Sequence, residues 1–421
     1  METAESYIRT HWKDTVRFDP EDNGTLIGLP KPYTVPGISE TFREMYYWDT
    51  YFTNVGLILS GETELAKNNT ENIAFLIEKY GFMPNGNRVR FLSLSQPPFF
   101  IFMVRDVYEI TGDKLWLSRM YRAAVKEYDF WQTRRMTPKG LNRYRGELRD
   151  DEVDRRAARL CERTGLVCPE NRDEKRKLAE TYIAFCESGW DLNSRFGMLP
   201  QSYLPVDLNC LLYGMETELT RFSRLLGEED RWSEKAEKRR KLIHQYLWNE
   251  ERGCYTDYCF TEERKSELVT CAAFYPLFTG AADRGKAQRV RALLPLLEQE
   301  HGLAASEDSP SLMHLQWDYP HGWACLQYNV IRGLLRYGYR EDALRIAKKY
   351  CALVESNFAL TGTVWEKYNV VTGRISETEG GTACRMLGWS AGVYLYAKSL
   401  SDGNASDEIF DISILHEGEW K

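Results

Sequence analysis

Two acidic residues stand next to tryptophan at widely separated points of the chain. Asp191 follows Trp190, and Glu366 follows Trp365. A carboxyl group held against an aromatic ring, as we expect for Asp191, is desolvated, which favours its neutral form and suits a general acid. Two carboxylates framed by tryptophan and tyrosine are the ingredients of glycosidic bond cleavage. These two residues are therefore the first candidates for catalysis.

Other segments of the chain also combine aromatic rings with polar groups. Tyr46 and Asp49 are three residues apart, so on a helix a ring and a carboxylate share one face and can meet one ligand. Helix capping, packing and loop formation explain the same segments when each is taken alone. His321 is a weak acid/base candidate because no nucleophile motif accompanies it. The remaining segments are Asn85-Gly86-Asn87-Arg88, Ser95-Gln96-Pro97-Pro98 and Gln316-Trp317-Asp318-Tyr319-Pro320-His321.

The composition indicates a globular protein whose partner is a small molecule. Hydrophobic residues make up 43% of the 421 residues and charged residues 28%, which is enough for a packed core. The net charge of −7, without a long basic run, argues against nucleic acid or an anionic membrane as the main partner. The aromatic content of 13% suits a sugar site, where rings stack against sugar C–H faces, although aromatic residues also fill ordinary cores.

No motif for a metal, a cofactor or a membrane span is present in the sequence. The ten cysteines lack C-x-x-C spacing, and we expect them to be reduced, with no disulfide framework and no zinc site. No stretch approaches the ~18 continuous apolar residues of a membrane span, and Met1–Arg17 has no apolar signal core. The sequence therefore predicts a cytoplasmic protein without a cofactor. The oligomeric state is not predicted.

Apolar residues at helical spacing predict an all-α fold. Helix-period patterns lie near 46–60, 62–80, 98–111, 113–134, 174–187, 206–226, 230–249, 266–278, 283–299, 322–337, 340–355 and 384–400. Glycines that can cap one helix and open the next recur about 50–60 residues apart. Six helical hairpins at this spacing predict an (α/α)6 toroid. The glycines are Gly61, Gly112, Gly165, Gly227, Gly280 and Gly338.

The topology of such a toroid predicts where a site would form. With the short glycine turns at one end, the longer connections gather at the other end, and these connections carry the unusual residues. No linker divides the chain, so we expect residues 1–421 to form one catalytic domain. The charged segment 148–175 is either an inserted cap or lid, or a solvated helix face. The connections are 81–97, 135–147, 188–205, 250–265, 300–321 and 356–383.

Eight motifs in a fixed order resemble the α,α-trehalases of glycoside hydrolase family 37. They are PG…FREMYYWDTYF, NGNR…SQPP, LNRY, ESGWDLNSRF, LPVDLN, LWNEERGCYTDY, QWDYPHGW and WEKYNV…GWSAGV, over about residues 33 to 400. The resemblance implies an (α/α)6 toroid and an inverting mechanism with Asp191 as general acid and Glu366 as general base. An inverting pair would lie roughly 6.5–9.5 Å apart. The implied sugar-pocket residues are Phe42, Tyr46, Trp48, Asp49, Asn85, Gln96, Gly189 and Trp317.

The chain departs from the family pattern where arginines hold the sugar. Thr41 and Leu94 stand where the family carries arginine, and the R-P-E-S-Y stretch after LNRY is missing, with Arg145 or Glu147 as possible substitutes. Arg43 and Arg88 are further candidates to compensate. The Gly-rich segment with a pocket glutamate has become Glu379-Gly380-Gly381-Thr382.

These departures leave the substrate open. The first reading is hydrolysis of trehalose, and the nearest alternative is another small α-glucoside of the glucosylglycerate or mannosylglycerate type. A carbohydrate-binding or regulatory protein without activity on the same scaffold is the remaining alternative. The retained pair, Asp191 and Glu366, argues against this last reading.

Overall fold

The computed structural model describes residues 2–38, 42–376, 385–386 and 388–403. The described part is mainly helical, and several of its helices end at a glycine in the left-handed conformation. The α-helices are α1 (Ala4–His11), α2 (Tyr47–Leu59), α3 (Thr63–Tyr80), α4 (Phe100–Thr111), α5 (Lys114–Arg134), α6 (Val153–Thr164), α7 (Arg172–Ser188), α8 (Val206–Leu226), α9 (Ser233–Leu242), α10 (Tyr275–Thr279), α11 (Arg284–Arg291), α12 (Leu294–Leu297), α13 (Ala324–Arg336), α14 (Arg340–Thr361) and α15 (Gly388–Ser401).

Six of these helices close into an inner ring. Helix α2 packs on α4, α4 on α8, α8 on α10, α10 on α13, α13 on α15, and α15 returns to α2. A second layer of helices packs around the outside of this ring: α3 packs on α2, α5 on α4, α9 on α8 and α14 on α13. The predicted (α/α)6 toroid is therefore confirmed.

The ring closes where α15 meets α2 through two glycines. A Cβ placed on Gly392 would lie 2.0 Å from the carbonyl oxygen of Phe52, and one on Gly56 would lie 2.5 Å from the Cα of Gly392. No side chain fits at such distances, so the two backbones approach directly. The apolar surface of α2 is buried along nearly its whole length.

Two predicted helices differ from the structure for local reasons. The pattern at 283–299 is interrupted, because α11 ends at Arg291 and α12 starts again with Pro295 in its first turn, where its missing N–H costs nothing. The pattern at 266–278 yields a 3-10 turn at Cys271–Phe274 followed by the short α10.

The turn at Gly165 joins a pair of helices that lies outside the inner ring. Gly165 adopts the left-handed conformation that was expected of a cap, with φ of 72°. Helices α6 and α7 pack mainly on each other, above a small apolar cluster separate from the main core. Its buried members are Leu160, Phe185, Leu192, Phe196, Tyr203, Cys259 and Leu315. The N-terminal α1 packs on the outer helix α14.

Short antiparallel strands lie in the connections between the helices. They form small sheets of two or three strands, in the orders β1-β2, β3-β6-β7, β4-β5, β8-β9 and β10-β11-β12. In the last sheet Trp323 pairs with Lys367 and His321 with Asn369. The strands are β1 (Val16–Arg17), β2 (Tyr33–Thr34), β3 (Tyr203–Leu204), β4 (Trp248–Asn249), β5 (Cys254–Tyr255), β6 (Tyr258–Cys259), β7 (Arg264–Lys265), β8 (Glu298–Gln299), β9 (Gly302–Leu303), β10 (His321–Trp323), β11 (Lys367–Asn369) and β12 (Arg374–Ile375).

The described residues contain neither a candidate membrane-spanning helix nor a candidate metal-binding group. None of the described helices combines the length and the apolar character needed to cross a membrane. Over the same residues, no group of three or more His, Cys, Asp or Glu side chains is placed to hold a metal ion.

Candidate active site

Asp191 is positioned by the end of α7 and the turn that follows it. Gly189 caps α7 in the left-handed conformation, with φ of 73°. Its Cα lies against Trp48, because an added Cβ would be 2.8 Å from that indole. Any larger residue here would push the turn away from the ring, so glycine at 189 sets the position of Asp191 two residues later. The Asp191 side chain remains 37% exposed.

Glu366 is positioned by the start of β11. Its carbonyl oxygen accepts hydrogen bonds from Trp389 Nε1 at 3.1 Å and from Ser390 Oγ at 3.2 Å, both on α15. Its side chain is 33% exposed, and its Oε2 lies 3.6 Å from Nζ of Lys367. The backbone of Glu366 is thus tied to the helix that closes the ring, while its carboxylate stays accessible.

Three carboxylates share one electrostatic environment at this end of the toroid. The pKa of Asp191 is raised to about 6, mainly by burial; the positive charge of Arg163 opposes this rise and the negative charge of Glu366 adds to it. Burial also raises the pKa of Asp49 to about 7, and the charges of Glu366 and Asp191 act in the same direction. Like charges close together favour the protonated form of one partner. Asp49, Asp191 and Glu366 are therefore carboxylates whose charges act on one another, and we call them the carboxylate cluster.

Tryptophan side chains, including the predicted pocket residues Trp48 and Trp317, pack together in an aromatic layer. Trp190 stacks on Trp317 with ring centroids 5.4 Å apart, and Trp317 stacks on Trp323 at 3.7 Å with nearly parallel planes. Trp48 lies 5.7 Å from Trp317, and Trp389 meets Trp48 edge-on at 5.8 Å. Trp48 and Trp317 are only 1% and 2% exposed. Their rings therefore pack mainly on other side chains of the protein.

A cavity of about 880 Å³ opens beside Asp191. Five predicted residues line it: Phe42, Tyr46, Asn85, Gln96 and Asp191. The other five predicted residues, Trp48, Asp49, Gly189, Trp317 and Glu366, do not belong to its lining. Gln96 is fixed by accepting a hydrogen bond from the backbone N–H of Trp48 at 3.2 Å. Leu94, one of the departures from the family pattern, also lines this cavity.

Helix α6 contributes a row of arginines that the sequence reasoning did not assign to the site. Arg155, Arg156 and Arg159 line the cavity, and Nη1 of Arg163 lies 3.9 Å from Oδ2 of Asp191. Arg156, Arg159 and Arg163 follow one another at spacings of three and four residues, and Arg155 lies four residues before Arg159, which places them on one helix face. This spacing was visible in the segment 148–175, but it was interpreted there only as a lid or a solvated face.

The arginine substitutes suggested by the sequence lie elsewhere. Arg145 and Glu147 line a different cavity, and their suggested role as replacements for the missing stretch stays a prediction. Arg88 is paired with Glu44 and Thr25. Because no motif aligns the loop after LNRY, the sequence alone could not place Arg145 and Glu147 in space. Thr41 and the segment Glu379 to Thr382 lie outside the described residues.

His321 lies on β10, outside the lining of this cavity. Burial and then the positive charge of Lys367 lower its pKa to about 4. Its Nδ1 is hydrogen-bonded with Ser376 Oγ at 2.5 Å. The imidazole is therefore neutral near pH 7 and held by a hydroxyl.

Comparisons with known proteins identify relatives of this chain. The family model described as Trehalase matches residues 2–400. A periplasmic trehalase of Xanthomonas axonopodis pv. citri is 36% identical over 418 residues, covering 90% of this chain and 70% of that protein. A periplasmic trehalase of Pseudomonas aeruginosa is 34% identical, covering 89% of this chain and 72% of that protein.

Solved structures agree with the ring of helices. The neutral trehalase of Saccharomyces cerevisiae superposes with a TM-score of 0.74 at 28% identity, covering 95% of this chain and 80% of that chain. A mannosylglycerate hydrolase of Thermus thermophilus superposes with a TM-score of 0.65 at 18% identity, covering 93% of this chain and 99% of that chain. At that identity the second likeness concerns the fold alone.

The expected cytoplasmic location is contradicted by these comparisons. The similar curated proteins are named periplasmic trehalases. The expectation rested on the absence of a membrane-span stretch and on the lack of an apolar core in Met1–Arg17. The absence of a span does not distinguish one aqueous compartment from another, which is why this part of the prediction was wrong.

Proposed function

Because the chain belongs to the trehalase family of glycoside hydrolases, we propose that it hydrolyses trehalose to two glucose molecules with inversion at the attacked carbon. The observation that carries the proposal is that the charges of Asp49, Asp191 and Glu366 act on one another and that Asp191 lines the cavity. Glu366 raises the pKa of Asp191, and both raise the pKa of Asp49. Pairs of carboxyl groups with different environments are how glycosidases divide the acid and base roles.

In this proposal Asp191 is the general acid. A pKa of about 6 keeps part of its population protonated near neutral pH, so that it can donate a proton to the leaving glucosyl oxygen. Arg163 faces its carboxylate and opposes full protonation. After proton transfer, the same arginine stabilises the carboxylate that has formed.

Glu366 is the general base in the same scheme. Its accessible carboxylate accepts a proton from the water that attacks the anomeric carbon on the opposite face of the sugar ring. Lys367 lies 3.6 Å away and balances its negative charge. Asp49, with a pKa of about 7, can donate or accept a hydrogen bond to a sugar hydroxyl.

Amide groups, aromatic rings and arginines of the cavity lining hold the sugar. Asn85 and Gln96 supply amide donors and acceptors, while Phe42 and Tyr46 supply ring surface; the two rings meet edge-on at 5.7 Å. The arginines of α6 supply fixed donors in place of the family arginine that Leu94 replaces.

An α-glycoside with a carboxylate-bearing second moiety is the second candidate substrate. The specific observation that favours it is the concentration of arginine in the lining, where Arg90, Arg155, Arg156 and Arg159 occur against Glu162 and Asp191. Guanidinium groups bind carboxylates through paired hydrogen bonds. A substrate of this kind would place its carboxylate against α6.

A substrate panel tests the proposal. Release of glucose is measured from trehalose, and release of the sugar from glucosylglycerate and mannosylglycerate, each at several concentrations. We expect the highest kcat/KM with trehalose. A kcat/KM that is higher for a glycerate-linked substrate would select the second candidate, and cleavage of none of the three would contradict both.

A further inference from the structure

A second cavity, of about 640 Å³, lies on a different face of α7 from the candidate active site. Arg176 and Glu180 of α7 line it, whereas Tyr182 and Cys186 line the cavity beside Asp191. Residues four apart share a helix face, and the two pairs are offset by six residues, so they project in different directions. Helix α7 therefore separates the two cavities.

Arginine dominates the lining of this second cavity. Five arginines occur there, Arg134, Arg135, Arg143, Arg145 and Arg176, together with only two carboxylates. Carboxylates already engage three of the five. Glu147 pairs with Arg134 and Arg135, Glu187 forms two further hydrogen bonds with Arg135, and Asp150 pairs with Arg176.

Arg143 and Arg145 differ from the other three arginines of this cavity, which are paired with carboxylates. Neither guanidinium has a carboxylate partner among the described residues. Nη1 of Arg143 donates to the carbonyl oxygen of Gln201 at 3.2 Å, but its buried Nε has no hydrogen-bond partner in that part of the chain. The side-chain Oε1 of Gln201 is likewise buried without a partner there. Partly buried charges of this kind are costly unless something pairs with them.

The positive charges act on one another across the cavity. Burial lowers the pKa of Arg143, and the charges of Arg145 and Arg135 lower it further. An anion placed between these guanidinium groups would relieve that repulsion and take up their unused donors.

The backbone that carries these arginines is held rigidly. Glu187 is fully buried and accepts hydrogen bonds from the backbone N–H groups of Arg145 at 2.8 Å and Gly146 at 3.1 Å. The backbone N–H of Arg143 donates to the carbonyl oxygen of Arg135 at 3.0 Å. A ligand therefore meets a preformed backbone and need order only side chains, which lowers the cost of binding.

We propose that this cavity binds a small dianion of the phosphate monoester class, with Arg143 and Arg145 as its main contacts. The planar guanidinium fork matches two oxygens of a phosphate group. The volume lies within the range of about 300–1,000 Å³ typical of small-molecule sites, so a sugar-sized group attached to the phosphate also fits. This site is separate from the carboxylates assigned to hydrolysis.

Calorimetric titration of the full chain tests the proposal. The probes are inorganic phosphate and glucose 6-phosphate, and glucose is titrated separately to measure how much a glucosyl group alone binds at the candidate active site. We expect saturable binding of the phosphate-bearing probes with a dissociation constant on the order of 1 mM or lower. Equal affinities for the two would identify free phosphate as the recognised group, and tighter binding of the ester would show that the cavity also contacts the sugar. Failure of both to bind at about 10 mM would overturn the proposal.

Matched variants assign the binding to one cavity. Arg143→Gln and Arg145→Gln should each weaken anion binding by about tenfold or more, because each removes a charge-assisted contact. Arg155→Gln and Arg159→Gln make the same change in the other cavity and should leave the affinity for inorganic phosphate unchanged. The reverse pattern would place the anion beside Asp191 and overturn the proposal. Arg145 is exposed, so its variant remains informative if the Arg143 variant does not fold.

Discussion

At the scale of single residues, the account depends on two carboxyl groups with different tasks. The sequence singled out both, because each stands beside tryptophan and inside a family motif. The sequence could not predict that Asp49 joins them electrostatically, since the contact depends on how α2 meets the turns after α7 and before β11. It also assigned Trp48 and Trp317 to the sugar pocket, whereas the structure buries both rings in an aromatic layer.

Replacement of either carboxyl group should abolish most of the activity. General acid or base assistance is worth about 10²–10⁴-fold in rate, so Asp191→Asn and Glu366→Gln should each lower kcat for trehalose by that factor. Steady-state kinetics measure the change, with circular dichroism as a check of folding. Asp402→Asn, which removes a carboxylate paired with Lys398 at the end of α15, serves as the matched control and should retain normal kcat. Near-normal kcat in either site variant would mean that its role is wrongly assigned.

The pH dependence should report the raised pKa values. The acid form of Asp191 is lost as pH rises through its pKa of about 6, so kcat/KM for trehalose should fall on the alkaline side. Asp49 titrates in the same cluster with a pKa of about 7, and the alkaline limb should therefore lie between these values. A pH–rate profile measures the limb. A profile that remains flat from pH 6 to pH 7 and above would contradict the assignment of Asp191 as the acid.

The charge of Glu366 can be removed to test its coupling to Asp191. Glu366→Gln eliminates a negative charge that raises the pKa of Asp191, so this pKa should decrease in the variant. Carbon-13 NMR titration of labelled aspartate carboxyl groups measures the pKa in both proteins. An unchanged pKa would show that the two carboxyl groups are too far apart to act as a pair.

At the scale of helices, the sequence predicted where helices lie along the chain better than which helices pack together. The glycine turns and the apolar periodicity indicated most helices, and the left-handed cap at Gly165 is present. The sequence offered the segment 148–175 as an inserted cap or lid but also counted Gly165 among the six hairpin turns, because each hairpin looks alike when only periodicity is considered. For the same reason the α6 arginines were missed, although their spacing marked one face of a helix.

The arginines of α6 should affect substrate binding more than chemistry. Arg159→Gln removes a charged donor from the cavity lining, and a hydrogen bond to a charged group contributes about 1.5–3 kcal/mol, which predicts an increase in KM for trehalose of about 10- to 100-fold. The value of kcat should change much less. Arg172→Gln, at the exposed start of α7, is the control and should leave KM unchanged. Equal KM values for the wild type, Arg159→Gln and Arg172→Gln would show that α6 does not contribute to the substrate site.

At the scale of the whole molecule, the fold depends on closing a ring from helices far apart in sequence. Helices α2 and α15 meet through Gly56 and Gly392, more than 300 residues apart in the chain. The sequence predicted six hairpins, but this close backbone approach could not be predicted because isolated glycines within helical patterns have many explanations. The single-domain prediction for residues 1–421 stays a prediction, since α6 and α7 contribute to an apolar cluster that is separate from the main core.

Substitution at the ring closure should destabilise the protein. Gly392→Ala would place a Cβ 2.0 Å from the carbonyl oxygen of Phe52 and force α2 and α15 apart, which we expect to lower the free energy of unfolding by about 1–3 kcal/mol. Gly285→Ala in α11 meets only an ordinary contact of 3.4 Å and should be neutral or slightly stabilising, as alanine favours a helix. Urea denaturation compares the two variants. Equal stability would show that the close approach is not required.

The stereochemistry of the first products tests the central claim most directly. Inversion at one anomeric carbon of trehalose must release one β-glucose and one α-glucose from each bond that is cleaved, because the leaving sugar keeps its α configuration. Proton NMR of the anomeric signals in the first moments of the reaction, before the anomers interconvert, measures this ratio. The account predicts equal amounts of the two anomers. Release of α-glucose alone would mean retention through a covalent intermediate, and it would contradict the assignment of Asp191 and Glu366 as an inverting pair.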